Sequence, residues 1–184
     1  MQIKLIKRSG TWVDVYEAAL YTIGKTSLGR TPSDEWKEKM IRAEHSPLRL
    51  LWFTFELKDI PYWVMNHLTR HKIGVEFYVQ TQRTDKTGID RNSLPQDNPV
   101  NLLININAQA LINISRKRLC KKASPETREV WMTLIDELRD YEPLLAKHCV
   151  PECIYRQKCN EFIPCYKLKT EQQQEEEKDE QNLL

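Results

Sequence analysis

The sequence has no apolar run of membrane-spanning length, and its opening residues, MQIKLIKRSG, lack the apolar core of a secretory signal. A cytoplasmic protein is the expectation. Also missing are the paired CxxC knuckles of a zinc finger. Four of the five cysteines fall in CVPECIYRQKCNEFIPC, at intervals of three, five and five residues. In a chain without an export signal, such cysteines read as thiols or as ligands of a zinc or iron–sulfur site, not as disulfides. The candidate set is Cys149, Cys153, Cys159 and Cys165, with His148 able to replace one of them.

What is present fits one globular domain: 184 residues, 40% hydrophobic and 29% charged. The net charge of +2 conceals an asymmetry. Residues 169–184 hold six acids and two lysines, so residues 1–168 carry +6. That basic body suits an anionic ligand. The tail, KTEQQQEEEKDEQNLL, is too poor in apolar residues to fold and is expected to be disordered.

Periodicity predicts the elements. Gln2–Ile6 reads as a strand and Trp12–Gly24 as a helix with Val15, Ala18, Ala19, Tyr21 and Ile23 on its apolar face. Thr31 as N-cap and Pro32 in the first turn start a helix running to about Ala43. Leu51, Phe53, Phe55 and Leu57 alternate with polar partners, as in a half-buried strand. Asp59 and Pro61 open a helix whose last turn would carry Arg70, His71 and Lys72, where helix carbonyls welcome cations. Val75, Phe77 and Val79 mark another strand. TDKTGIDRNSLPQD is a long polar loop. Asn98–Lys122 reads as one long helix, unusual in carrying Asn101, Asn105, Asn107 and Asn113 among aliphatics. Ser124 and Pro125 start a final helix with Val130, Trp131, Leu134, Ile135 and Leu138 as its buried stripe.

The stretch NHLTRHKIGVEFYVQTQR, residues 66–83, concentrates His67, Arg70, His71, Lys72, Thr81 and Arg83. Donors and fixed cations at a helix end and a strand end make a phosphate site. RHK followed by QTQR resembles the signature of flavin-dependent thymidylate synthases, an Arg-His-Arg triplet and then Ser-x-Arg. Here Lys72 replaces an arginine, Thr81 the serine and Val79 a glutamate, and the spacer is one residue longer. The flanking motifs occur in family order. EHSPLRL resembles the family's His-x-Ser-Pro-Leu-Glu-His loop, with Arg49 and Leu50 in place of Glu-His. RNSLP resembles its Arg-x-x-Leu-Pro. NAQALINISRKR resembles Asn-Ala-Arg-x-Leu-x-(His/Asn)-x-x-x-x-Arg, with Gln109 for the first arginine.

The resemblance, over about residues 12–145, implies an α+β fold with a mixed or antiparallel sheet and long helices. It implies a domain at 1–147; the cysteine-rich extension at 148–168 and the acidic tail at 169–184 are read from composition and lie outside it. It also implies a homotetramer with active sites between subunits. The activity implied is reductive methylation of dUMP to dTMP with methylenetetrahydrofolate, FAD and NADPH. Arg118 would polarise the pyrimidine. His67, Arg70, Thr81, Gln82, Arg83, Arg91 and Arg118 would bind the nucleotide, and Ser46, Arg70, His71, Lys72, Asn107 and Asn113 the flavin. Ser46 reads equally as a turn residue before Pro47. Two alternatives stand beside this reading. One is a related enzyme that methylates or hydroxymethylates another pyrimidine nucleotide; the other is a non-catalytic nucleotide or nucleic-acid binder.

Overall fold

The computed structural model describes residues 1–26 and 29–165. The expected acidic tail lies outside the described residues, as do residues 166–168 of the cysteine-rich extension. In chain order the elements are strand β1 (Gln2–Ser9), helices α1 (Trp12–Tyr21) and α2 (Asp34–Ala43), a 3-10 turn (Ser46–Leu50), strand β2 (Trp52–Pro61), helix α3 (Tyr62–Leu68) and strand β3 (Val75–Val79). A one-turn helix α4 (Thr84–Thr87) and a 3-10 turn (Arg91–Ser93) lead to strand β4 (Pro99–Asn107), followed by helices α5 (Ala108–Arg118), α6 (Pro125–Arg139), α7 (Pro143–His148) and α8 (Glu152–Arg156).

The strands form one antiparallel sheet in the order β1-β2-β4-β3. β2 and β4 are central because both alternate cleanly: Phe53, Phe55 and Leu57 face the core with Val100, Leu102, Ile104 and Ile106, each at most 2% exposed. α3 and α6 pack against the sheet. Trp131 of α6, fully buried, donates its indole N–H to Ser115 Oγ of α5 at 2.8 Å, which satisfies both polar groups in an apolar setting. The whole predicted stripe of α6, from Val130 to Leu138, is buried.

The sequence and the fold part company at residues 98–107, where a strand stands in place of the first half of the expected long helix. The run Val100, Leu102, Ile104, Ile106 has period two and is β-branched at three of four positions, and pairing with β2 and β3 decides for the strand. This also accounts for the asparagines. Asn101 Oδ1 accepts from the Asp59 backbone N–H at 3.2 Å, and Asn105 Oδ1 from Thr54 Oγ1 at 3.1 Å, both on the polar face of the sheet. Three smaller corrections follow. Helix α2 is capped by Ser33, which accepts from the Trp36 N–H, not by Thr31, so it begins at Asp34. Tyr21 and Ile23 are exposed, at 82% and 63%, because α1 ends at Tyr21 and meets the core through buried Val15 and partly buried Trp12 and Ala19. Arg70, His71 and Lys72 lie beyond the end of α3, not in its last turn.

Candidate active site

β4 runs into α5 without a loop, and this junction places the site. Asn107 ends the strand and caps the helix, its Oδ1 accepting from the Ala110 N–H at 2.9 Å. Its own N–H donates to the Gly74 carbonyl, and that of Ala108 to the Leu51 carbonyl, both at 2.9 Å. Gly74 has φ +72°, and a Cβ there would stand 2.6 Å from Asn107 Nδ2. Only glycine fits. The turn after α3 is thereby pinned beside the start of α5, and Arg118, one helix length on, reaches back to it.

Arg118 donates its Nε–H to His71 Nε2 at 2.9 Å and an Nη2–H to the His67 carbonyl at 2.6 Å. Among the described residues no carboxylate pairs with it. Burial and the nearby Arg70 both disfavour its charge. Burial, with Arg118 beside it, drives His71 down to about 4, so at neutral pH it is uncharged. Because Nε2 accepts from Arg118, the ring proton is assigned to Nδ1, which leaves a donor facing away from the guanidinium.

His67 meets a second chain of contacts. Ser124 Oγ donates to Thr127 Oγ1 at 2.8 Å, so the fully buried Thr127 hydroxyl has its own proton for His67 Nδ1 at 3.1 Å. Burial, then Arg118 and Arg70, keep His67 below its ordinary pKa. Trp63 packs edge-on against the ring, with centroids 5.3 Å apart. Positive charge is thus concentrated on Arg118, Arg70 and Lys72, the last two exposed and without an ion pair among the described residues. Such a group calls for an anion.

The other expected nucleotide ligands form a separate group past β3. Arg83 grips the Asp85 carboxylate with both Nε and Nη2, at 2.9 and 2.8 Å. Thr81 Oγ1 accepts from the Arg83 N–H at 3.2 Å. Gln82 Nε2 is buried without a hydrogen-bond partner. Arg91 is exposed in the loop. Among the described residues no hydrogen bond or ion pair joins this group to Arg118, and the five residues of β3, about 15 Å of strand, separate it along the chain from the His71 turn that Arg118 meets.

The expected flavin residues are scattered in the same way. Ser46 opens the 3-10 turn and lines a cavity of about 260 Å³ with Tyr16, Trp36 and Met40. Asn107 is 5% exposed and committed to capping. Asn113 Oδ1 accepts from Gln109 Nε2 at 3.3 Å and from Arg116 Nη1 at 3.2 Å.

Gln109 leads to a cluster the sequence did not announce. Its Nε2 also donates to Glu44, a residue in the left-handed region at φ 50° that takes further hydrogen bonds from Arg116 and the Tyr155 hydroxyl. Burial pushes the Glu44 carboxyl up, but these donors together hold it below its ordinary value. The Arg116 guanidinium lies over the Tyr155 ring at 3.8 Å. The only local hint was Arg116 within the basic run SRKR.

The cysteine set divides. Cys149 belongs to the core, 3% exposed; burial pushes its thiol up to about 12, and it bonds to Ser115. His148 is tied to Glu38 at 2.9 Å. Among the described residues, no three His, Cys, Asp or Glu side chains stand close enough to hold a metal ion. Cys149 thus stands apart from Cys153, Cys159 and Cys165, because α7 carries it into the core.

No family model matches the chain. Among solved structures it is similar to a flavin-dependent thymidylate synthase of Helicobacter pylori complexed with FAD and dUMP, with a TM-score of 0.65 at 18% identity, covering 82% of this chain and 100% of that one. A UMP/dUMP methylase of Streptomyces cacaoi bound with 5-Br dUMP gives 0.64 at 16% identity, over 80% and 93% of the two chains. The fold is that of the flavin-dependent thymidylate synthases. In sequence, the chain is 34% identical over 64 residues to the flavin-dependent thymidylate synthase of Sulfolobus acidocaldarius, and 33% over 64 residues to that of Saccharolobus solfataricus. Each match covers 35% of this chain and only a quarter, 25%, of the relative's length. The resemblance read from the motifs thus holds in fold over most of the chain and in sequence over part of it. Among the described residues no helix is long and apolar enough to cross a membrane.

Proposed function

We propose that the protein is a divergent flavin-dependent thymidylate synthase of the cytoplasm, methylating dUMP to dTMP with methylenetetrahydrofolate as carbon donor and NADPH as reductant. The observation that carries this is Arg118, a half-buried guanidinium with two neutral hydrogen-bond partners, no acid partner among the described residues and a second cation nearby. A fixed positive charge in a water-poor site stabilises negative charge that develops on a bound ring. Against uracil, Arg118 would draw charge toward the carbonyl and N3 and make C5 more nucleophilic. His71 positions the guanidinium without competing for its charge.

Arg70 and Lys72, exposed and without an ion pair among the described residues, fit the phosphates of FAD, with the His71 Nδ1–H as a further donor. Bound flavin would supply hydride carriage between NADPH and the one-carbon unit. Ser46, Asn107 and Asn113 stay candidates for the same cofactor, though Asn107 and Asn113 already serve contacts within the chain. Arg83, Arg91 and the Thr81 hydroxyl would hold the nucleotide phosphate, with His67, Arg70 and the unpaired Gln82 amide contacting the rest. Arg83 would exchange Asp85 for phosphate, at small cost because exposed ion pairs contribute about 1 kcal/mol or less.

His71, the partner of Arg118, precedes β3, and Arg83 follows it. A nucleotide gripped by both arginines is most simply shared between two copies of the chain, which supports a homotetramer with sites between subunits. The exposed Tyr78 and Val79 on the edge strand, with Ile73 just before it, suit such burial. A second reading, action on another pyrimidine nucleotide by methyl or hydroxymethyl transfer, is favoured by Gln109, which is bound to Glu44 where the family places an arginine.

Tritium release from C5-labelled dUMP, with FAD, NADPH and methylenetetrahydrofolate present, tests the proposal. Release that requires all three cosubstrates supports it. Release from dCMP or UMP but not dUMP moves the conclusion to the second reading. A protein that retains no flavin and releases no tritium from any of them is a binding module.

A further inference from the structure

The segment Gln157–Cys165 is folded inside out. Phe162 is fully exposed and Ile163 is 66% exposed, while Cys159, Glu161 and Cys165 alone turn inward. Among the described residues, no backbone–backbone hydrogen bond involves any of these nine. The contact that ties them to the body is an exposed ion pair, Glu161 to Lys117 at 3.6 Å. Apolar burial and hydrogen bonding, the usual sources of order, do not hold this segment.

Its cysteines share a destination. A cavity of about 890 Å³ lies between the end of α5, the start of α6 and the C-terminal segment. Cys120, Cys153, Cys159 and Cys165 all line it. Cys120, far away in sequence, thus takes the place that the spacing had given to Cys149. Burial pushes the Cys153 thiol up, and the nearby Cys120 and Cys165 push it the same way. Lys121, Lys122 and Arg128 line the same cavity and have no ion-pair partner among the described residues, whereas its acids are engaged, Glu152 by Arg156 and Glu161 by Lys117.

We propose that Cys120, Cys153, Cys159 and Cys165 form a four-thiolate zinc site that fastens the C-terminal segment to the end of α5. The thiols ring the cavity without converging, as the absence of any ready metal-holding group among the described residues requires. Binding is therefore an ordering step: Zn²⁺ draws residues 157–165 inward until the sulfurs reach about 2.3 Å from the metal. The four thiols release their protons to solvent, and the resulting complex carries a net charge of −2. Lys121, Lys122 and Arg128 offset that charge. Two disulfides would be neutral and would leave these cations without a counterpart. The inference does not rest on the proposed enzymatic reading.

The test uses the full chain, expressed without a histidine tag and prepared under reducing conditions. Elemental analysis is expected to give about one zinc per chain, and Co²⁺ exchange to give the intense absorption of thiolate-to-metal charge transfer. Cys120→Ser and Cys159→Ser should each lose the metal, and Cys149→Ser should keep it. Should those variants fail to fold, alkylation of wild type read by mass spectrometry decides instead: zinc should slow modification of Cys120, Cys153, Cys159 and Cys165 at least tenfold relative to chelator-treated protein. Zinc-free protein that takes up no Co²⁺, iron with inorganic sulfide in place of zinc, disulfide-linked pairs, or protection that leaves out Cys120 would each overturn the proposal.

Discussion

The Nε–H of Arg118 points at Nε2 of His71, 2.9 Å away, so the most buried cation of the site is oriented by a histidine that has to stay neutral. The pH consequence has a definite sign. The folded pKa of His71 is about 4, below the ordinary 6.5, so between these values the unfolded chain binds more protons than the folded one. Stability from this group is fully present above pH 6.5 and is lost as pH falls toward 4. Protonation would set two cations face to face. We expect denaturant midpoints to fall across that window in wild type and to fall less in His71→Asn, which retains an acceptor without titrating. Equal pH dependence in the two proteins would contradict the arrangement.

Arg118 and Arg83 should separate in kinetics. If Arg118 meets charge that develops in the ring, Arg118→Ala should depress turnover by about 2–4 kcal/mol in barrier height while nucleotide affinity changes little. Arg83→Ala, which removes a ground-state phosphate contact, should weaken dUMP binding first. Arg118→Lys should not restore full activity, because a point charge cannot span two acceptors as a planar fork does. Direct dUMP titration alongside tritium release measures both quantities. A variant Arg118→Ala with normal turnover and poor affinity would make this residue a binding contact.

Gly74→Ala should destabilise the protein and disturb the site together. The new Cβ would collide with the Asn107 amide in a conformation that L-residues disfavour. Loss of the α5 cap alone is worth about 1 kcal/mol. A denaturant midpoint unchanged from wild type would mean the turn can give way without moving Asn107.

The Glu44 cluster should be structural. Glu44→Gln would leave Arg116, 8% exposed, without its counter-charge. The loss expected is on the order of 2 kcal/mol, less than for a fully buried pair because the Glu44 side chain keeps 23% of its exposure. Tyr155→Phe should cost only about 1 kcal/mol, one hydrogen bond. Urea denaturation of both variants and of the double mutant gives the coupling, and purely additive effects would show the contacts to be independent.

The sequence by itself determined the pieces that local chemistry decides. The alternation from Leu51 to Leu57, the stripe from Val130 to Leu138 and the basic triplet followed by QTQR each report a periodicity or a motif that neighbours a few residues apart complete. Residues 98–107 were open to two local readings, and the strand won because β2 and β3 supply partners from more than twenty residues away. Only the tertiary structure could separate Cys149 from the other thiols and bring in Cys120. Which cysteine faces a cavity depends on α7 entering the core and on the C-terminal segment meeting the end of α5, and no spacing along the chain records where two distant segments meet. The same holds for Arg118: the motif marked it, but its neutral partners, His71 and the His67 carbonyl, meet it only once the Gly74 turn lies against the start of α5.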